Sequence, residues 1–140
     1  MDARNLTPIY AVSPQIVPAD VAAIKSAGFV RVICNRPDAE IPPDIHASQM
    51  RDLVEAAGME FVLNPVIGGA ITRENVAAQR DAMITANGPV FAYCASGNRS
   101  SIVWALAQAG AVAADELIGT AAKWGYNLEP FRAALTVGDS

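Results

Sequence analysis

A chain of 140 residues, just over half of them apolar, is long enough to bury a hydrophobic core and is not expected to be disordered. Fourteen acidic and ten basic residues give a net charge of −4, which argues against a nucleic-acid or anionic-membrane surface. We therefore expect one domain, residues 1–140, that binds neither nucleic acid nor membrane.

The predicted elements alternate between strands and helices. In chain order they are an extended segment at 6–12, a helix at 19–27, a strand at 29–34, a helix from about 44 to 57, a strand at 61–66, a helix at 72–86, a strand at 89–93 and helices near 100–109, 114–124 and 128–135. Three prolines exclude regular structure from 35–43. The alternation is typical of a single α/β domain with a mostly parallel central sheet of four to five strands, flanked by helices.

Helix boundaries are marked by residues that favour helix ends. Asp44 and Thr72 are predicted N-caps, because their side-chain oxygens can accept from free amides of the first turn. Pro8 favours a sheet edge for the opening segment. Three Ala-Gly pairs are predicted to end helices, at 27–28, 57–58 and 109–110.

No segment near the N-terminus or within the chain has the pattern of a secretory signal or of a membrane span. Residues 1–5 lack the apolar stretch of a secretory signal, and the longest apolar region, 102–114, is too short to span a bilayer. We expect a cytoplasmic protein, in which Cys34 and Cys94 are reduced thiols. One histidine and two cysteines are too few for a zinc site, and we expect neither a metal nor a cofactor.

The segment from Cys94 to Arg99 joins a predicted strand to a predicted helix. The carboxyl ends of parallel strands form the ligand-binding edge of a sheet, and the free amides of a following helix favour anions there. These amides and Arg99 favour a thiolate, so Cys94 and Arg99 are predicted catalytic residues. Gly97 allows the loop to curl, and Ser100 is placed to donate to the sulfur. The predicted anion-binding residues are Ala95, Ser96, Gly97, Asn98 and Ser100. The competing interpretation is an inert, buried cysteine at a strand end.

Three further candidates follow the strand at 29–34. Arg36 is predicted to bind an anionic substrate, and Asp38 is an accessory candidate as an acid approaching from another direction. These two side chains could equally pair with each other or line the solvent-exposed rim. Cys34 could resolve an oxidised or persulfidated Cys94, or it could be a buried strand cysteine.

Several segments resemble a known bacterial family. They read LTPIYAVSPQI, GFVRVICNRPDAE, NPVIGGAIT, VFAYCASGNRSSIVWAL and GYNLEPFR. They are similar to the phosphatase-like domain that is also found joined to beta-lactamase-like hydrolases and is often labelled a sulfur transferase. The resemblance covers nearly the whole chain and implies the fold of dual-specificity protein phosphatases.

Two departures from protein tyrosine phosphatases bear on the reaction. Those enzymes have His-Cys, five residues and then Arg, whereas here Tyr93 precedes Cys94 and four residues separate Cys94 from Arg99, as in rhodanese loops. Residues 64–70, where dual-specificity phosphatases carry an acidic residue, contain no carboxylate. General acid catalysis is worth roughly 10²- to 10⁴-fold, and transfer of sulfur to or from stable anions does not need it.

The sequence therefore favours a rhodanese-like sulfurtransferase that carries a persulfide on Cys94. Its expected partners are a small anionic substrate (thiosulfate, a persulfide or a phosphate ester) and an acceptor thiol protein. Two alternatives stay open. One is a cysteine-dependent phosphatase that forms a phosphocysteine, and the other is a non-catalytic anion-binding or redox-sensing module.

Overall fold

Continuous apolar runs form the inner strands, because both faces of a parallel sheet are covered by helices. The computed structural model describes residues 1–136 and contains one five-stranded sheet in the order β1-β2-β5-β3-β4. Strand β1 is antiparallel to β2 and every other pair is parallel, which confirms the predicted α/β fold. The strands are β1 Arg4–Thr7, β2 Tyr10–Ser13, β3 Arg31–Cys34, β4 Glu60–Leu63 and β5 Val90–Tyr93.

Within residues 1–136, six α-helices and four short 3-10 turns connect and cover the strands. The helices are α1 Val21–Ser26, α2 Ala47–Ala56, α3 Arg73–Ile84, α4 Asn98–Leu106, α5 Ala114–Ala122 and α6 Arg132–Thr136. The turns are Pro18–Asp20, Asp38–Glu40, Pro43–Ile45 and Glu129–Phe131. The predicted domain, 1–140, extends into residues 137–140, which lie outside the described part. No helix among residues 1–136 is long and apolar enough to cross a membrane.

Alternate side chains of the central strand β5 enter two separate apolar layers. Phe91 and Tyr93 pack in the layer that contains the buried residues of α1 and α2. Val90 and Ala92 pack in the opposite layer, with α4, α5 and α6. Burial on both faces fixes the register of the strand, because a slip of one residue would exchange its two faces.

The register brings the carboxyl ends of four strands to one edge. Ser13 and Cys34 both pair with Tyr93, and Cys34 also pairs with Leu63. The segments that follow β2, β3, β4 and β5 consequently meet at this edge. Three of them contain predicted site residues or the stretch without a carboxylate.

Several predicted boundaries are wrong, for local reasons. The opening extended segment is a hairpin of β1 and β2, with the turn at Pro8. Of these two strands, only β1 lies at an edge of the sheet. The proline-rich segment 35–43 contains a 3-10 turn and the start of another. The second turn begins with Pro43, because proline tolerates the first position of a helical turn. Asp44 is not the cap of α2. That helix begins at Ala47, whose amide donates to Asp38 Oδ1 at 2.8 Å.

The predicted cap of α3 is confirmed. Thr72 Oγ1 accepts from the Asn75 amide at 3.1 Å, and Asn75 Oδ1 accepts from the Thr72 amide at 3.1 Å. This reciprocal pair satisfies two amides and fixes the start of the helix. The loop that precedes it, after β4, is thereby held next to the candidate site.

Candidate active site

Cys94 continues the line of β5 into the loop and is fully buried. Its amide donates to the Ser13 carbonyl at 3.3 Å, which ties the start of the loop to β2. Its Sγ accepts a hydrogen bond from the Gly97 amide at 3.1 Å. The loop therefore curls back so that one of its own N–H groups points at the sulfur, as the sequence predicts.

Gly97 makes this curl possible. Its φ of +94° lies where side-chain-bearing residues are strained, and it immediately precedes α4. The Tyr126 hydroxyl occupies the space that a Cβ on Gly97 would need, and it donates to the Ser96 carbonyl at 2.8 Å. Arg4 Nη1 donates to the same hydroxyl at 2.6 Å, so Tyr126 clamps the outer side of the loop.

Four backbone amides in and directly after the loop are unpaired within the described part of the chain. The N–H groups of Ala95, Ser96, Arg99 and Ser100 have no hydrogen-bond acceptor within residues 1–136. The Asn98 amide donates to Ser96 Oγ at 3.2 Å. Unpaired amides beside the first turn of a helix form a site for an oxyanion. Of the predicted anion-binding residues, Ala95, Ser96 and Ser100 have unpaired amides, whereas Gly97 and Asn98 have local partners. Anion binding by this loop stays a prediction.

The Arg99 guanidinium contacts a carboxylate that the sequence analysis did not assign to the site. Its Nη1 and Nη2 donate to the two carboxylate oxygens of Glu40 at 2.9 and 2.7 Å, and Nη1 also donates to the Val66 carbonyl at 2.8 Å. The hydrogen bond to Glu40 raises the pKa of Arg99, and the nearby Cys94 thiol contributes less. The same hydrogen bond holds the pKa of Glu40 below its usual range.

Arg36 reaches the same edge, as predicted. Its Nη2 donates to the Glu40 carbonyl at 2.8 Å, its Nε lies 3.4 Å from Glu40 Oε1, and its Nη1 lies 3.3 Å from Gln15 Oε1. In this arrangement its partners are protein groups. Arg36 and Arg99 thus converge on one carboxylate, and substrate binding by Arg36 stays a prediction.

Three other predicted side chains have different partners. The Ser100 hydroxyl was expected to donate to the sulfur but donates to Asn35 Oδ1 at 2.9 Å, because Ser100 is buried behind the loop. Asp38 accepts from the Ala47 amide and caps α2, so it does not pair with Arg36. Cys34 is buried, with its thiol 3.4 Å from the Arg36 carbonyl, and burial raises its pKa, which disfavours a resolving thiolate.

A buried polar network supports the loops from behind. Gln79 Oε1 accepts from the side-chain amides of Asn35 and Asn64, both at 3.1 Å, and Gln79 Nε2 donates to the Tyr10 hydroxyl at 2.8 Å. Asn35 in turn accepts from Ser100. The network joins the segments after β3, β4 and β5, so it fixes the relative positions of the residues around Cys94.

The loop after β4 lies at the site but provides no acid. The Val66 carbonyl contacts Arg99, and residues 64–70 contain no carboxylate. Glu40, which does reach Arg99, is held ionised and has no proton to give at neutral pH. No group of three or more His, Cys, Asp or Glu side chains among the described residues is arranged to hold a metal.

The residues around this loop match a defined family. The model of the beta-lactamase hydrolase-like protein, phosphatase-like domain, matches residues 2–111. The chain belongs to this family. A beta-lactamase hydrolase-like protein of Agrobacterium fabrum is 33% identical over 109 residues, which are 78% of this chain and 25% of that protein. The chain thus spans about a quarter of the length of that relative.

Solved structures agree with the family assignment. A provisionally assigned phosphatase of Neisseria meningitidis superposes with a TM-score of 0.82 and 34% identity, covering 96% of each chain. Tk-PTP in its active form superposes with a TM-score of 0.72, covering 95% of this chain and 92% of its own, and at 17% identity it shows the fold alone. The chain is a phosphatase-like domain and shares its fold with Tk-PTP, which confirms the family and the fold that the resemblance implies. These relationships favour the phosphatase alternative over sulfur transfer, which they do not show.

Proposed function

We propose that this phosphatase-like domain is a cysteine-dependent phosphatase in which Cys94 attacks a phosphate ester. The observation that carries the proposal is the position of the Cys94 sulfur, 3.1 Å from the Gly97 nitrogen in a loop with unpaired amides, beside Arg99. Such a loop can hold a phosphoryl group against the nucleophile. The relationship to phosphatase-like proteins supports the same reaction.

In the proposed reaction the Cys94 thiolate forms a bond to phosphorus as the bond to the leaving oxygen breaks. The leaving group departs with the electron pair, and water then hydrolyses the phosphocysteine to give inorganic phosphate and the free thiol. Unpaired loop amides and Arg99 stabilise the equatorial oxygens, where charge accumulates during transfer. In this scheme the protein supplies a nucleophile and a cradle but no proton from residues 64–70 or Glu40.

The missing proton donor restricts the proposed substrates. A leaving group that is not protonated must depart as an anion, and this is slow for alkoxides but fast for activated phenolates. General acid catalysis contributes roughly 10²- to 10⁴-fold where it operates. We therefore propose phosphate esters with acidic leaving groups, such as aryl phosphates, as the substrate class.

A series of aryl phosphates with leaving groups of increasing pKa tests this proposal. We expect Cys94-dependent release of phosphate whose kcat/KM falls steeply along the series, with alkyl phosphates nearly inert. Cys94→Ser should abolish turnover, while Cys34→Ser, the matched thiol control, should retain it. Turnover that survives in Cys94→Ser, or no turnover of any aryl phosphate, would reject a phosphatase.

Sulfur transfer is the second candidate, because two specific features favour it. Four residues between Cys94 and Arg99 make a shorter loop than the phosphatase motif, and the stretch 64–70 has no acid. In this reaction the thiolate attacks the outer sulfur of thiosulfate, the sulfur–sulfur bond breaks, and sulfite leaves with the electron pair. An acceptor thiolate, on a partner protein, then takes the outer sulfur from the Cys94 persulfide and releases the Cys94 thiolate.

One assay separates the two candidates. Cyanide accepts sulfur from a persulfide, so wild-type protein with thiosulfate and cyanide should yield thiocyanate if the second candidate is correct, and Cys94→Ser should not. Background rates in both assays would leave a non-catalytic anion-binding module.

We also propose a cytoplasmic location. A reducing compartment would keep both cysteines as free thiols, which either reaction needs.

A further inference from the structure

We propose that Glu40 is a positioning residue. It binds the edge of the Arg99 guanidinium that is farther from Cys94, so that the nearer edge faces the anion bound at Cys94. The inference rests on the proposed function only in taking Cys94 as the nucleophile and Arg99 as its anion-binding partner. It applies equally to a phosphoryl group and to thiosulfate.

The inference is based on which N–H donors of Arg99 already have an acceptor. A guanidinium has five N–H donors in one plane. Both donors of Nη1 are used, one by Glu40 Oε2 and one by the Val66 carbonyl, and one donor of Nη2 is used by Glu40 Oε1. The two that remain, on Nε and Nη2, have no oxygen or nitrogen acceptor among residues 1–136 and lie side by side on one edge, with the Cys94 sulfur near the guanidinium. A pair of parallel donors suits two oxygens of a tetrahedral anion.

Glu40 is itself fixed in place. It ends the 3-10 turn Asp38–Glu40, which is joined to α2 through the bond from the Ala47 amide to Asp38. Arg36 donates to the Glu40 backbone carbonyl and approaches its carboxylate. A carboxylate held between two guanidinium groups, with its pKa lowered chiefly by Arg99, keeps its charge and its position at neutral pH.

The alternative is that Glu40 competes with the substrate. A carboxylate on Arg99 resembles a bound oxyanion, and an anion that needed the same edge would have to displace it. The two ideas predict opposite effects of removing Glu40. Loss of a positioning group weakens anion recognition, whereas loss of a competitor strengthens it.

Alkylation of Cys94 by a charged and a neutral reagent separates these effects from the ionisation of the thiol. Iodoacetate and iodoacetamide both require the thiolate, but only iodoacetate carries a carboxylate that Arg99 can bind. The ratio of the two rate constants, measured at neutral pH by mass spectrometry of the Cys94 peptide, therefore reports the anion-binding edge. The ratio measured for Arg99→Ala is the reference value for a protein that lacks the guanidinium edge.

We expect Glu40→Ala to lower the ratio about tenfold, which corresponds to about 1.4 kcal/mol, and Glu40→Gln to lower it less because the amide oxygen still accepts one bond. Glu129→Gln is the matched control, since Glu129 also makes two hydrogen bonds to an arginine, Arg132, at an exposed place. It should leave the ratio unchanged. In an Arg99→Ala background, Glu40→Ala should have no further effect.

An unchanged or increased ratio in Glu40→Ala would overturn the inference, the increase because it would identify a competitor. Thermal unfolding of each variant shows whether it is folded, and Glu40→Gln, which keeps the side-chain shape, serves if Glu40→Ala is not. A lowered ratio in a protein that turns over neither aryl phosphates nor thiosulfate would reject the proposed function and leave the role of Glu40 intact. A wild-type ratio equal to that of Arg99→Ala would overturn the inference, because it would show that Arg99 does not bind the anion.

Discussion

Substitution of Gly97 by alanine tests the geometry of the loop most severely. The residue has φ +94°, and a left-handed conformation costs a residue with a side chain about 1–2 kcal/mol. A Cβ there would also collide with the Tyr126 hydroxyl and lie 3.0 Å from Tyr126 Cζ. Tyr126 cannot move without breaking its bonds to Arg4 and Ser96, each worth on the order of 1 kcal/mol. We expect Gly97→Ala to destabilise the fold by about 3 kcal/mol.

The assay is urea unfolding combined with the rate of Cys94 alkylation by iodoacetamide. We expect a lower urea midpoint and slower alkylation, because the Gly97 amide would no longer point at the sulfur. Tyr126→Phe removes the colliding hydroxyl, so Gly97→Ala should cost about 1 kcal/mol less in that background, while the backbone cost remains. A Gly97→Ala protein with wild-type stability and wild-type alkylation would refute the described loop.

Two further predictions concern charge and the buried network. Because the pKa of Glu40 is lowered, its stabilising contact with Arg99 is present above the ordinary glutamate range and is lost only as pH falls through that lowered value. Glu40→Gln should therefore reduce stability by about 0.5–1 kcal/mol at pH 7, and the difference in urea midpoints should vanish in strongly acidic buffer; a constant difference would contradict this. Gln79→Ala removes one buried hydrogen bond each from Asn35, Asn64 and Tyr10, so we expect a loss of about 2–4 kcal/mol in urea unfolding, and a neutral effect would show that the network is dispensable.

The candidate nucleophile could be predicted from sequence because its determinants are local. Cys94, Gly97 and Arg99 lie within six residues, directly after an apolar strand and before a helix, and the strand–loop–helix context predicts free amides there. The mostly parallel sheet followed from the alternation of strands and helices. Both predictions needed only neighbouring residues.

The partners of these residues could not be predicted, because they come from distant segments. Glu40 lies 59 residues before Arg99. The three prolines in its segment predict irregular structure, whereas the structure has a 3-10 turn there. Tyr126 reaches the loop from beyond α5. Ser100 points to Asn35 because a buried amide network competes for its hydroxyl, and no local pattern reveals that network.

The sequence contained one indication that Glu40 belongs to the site: its charged side chain lies close in the chain to the predicted site residues Arg36 and Asp38. Arg36, Asp38 and Glu40 follow a strand whose carboxyl end lies next to that of β5, so any of them could have reached the loop. The structure assigns Asp38 to the cap of α2 and Glu40 to Arg99. Spacing alone does not distinguish these two carboxylates, because the direction of each depends on the turn between them.

The central claim is that the Cys94 sulfur forms the covalent bond to the transferred group. Rapid-quench mass spectrometry after mixing with an aryl phosphate, and separately with thiosulfate, tests it directly. We predict the mass of one phosphoryl group or of one sulfur atom on the Cys94 peptide, and no such gain in Cys94→Ser. Turnover of either compound with no label on Cys94, or with a label on another residue, would contradict the account.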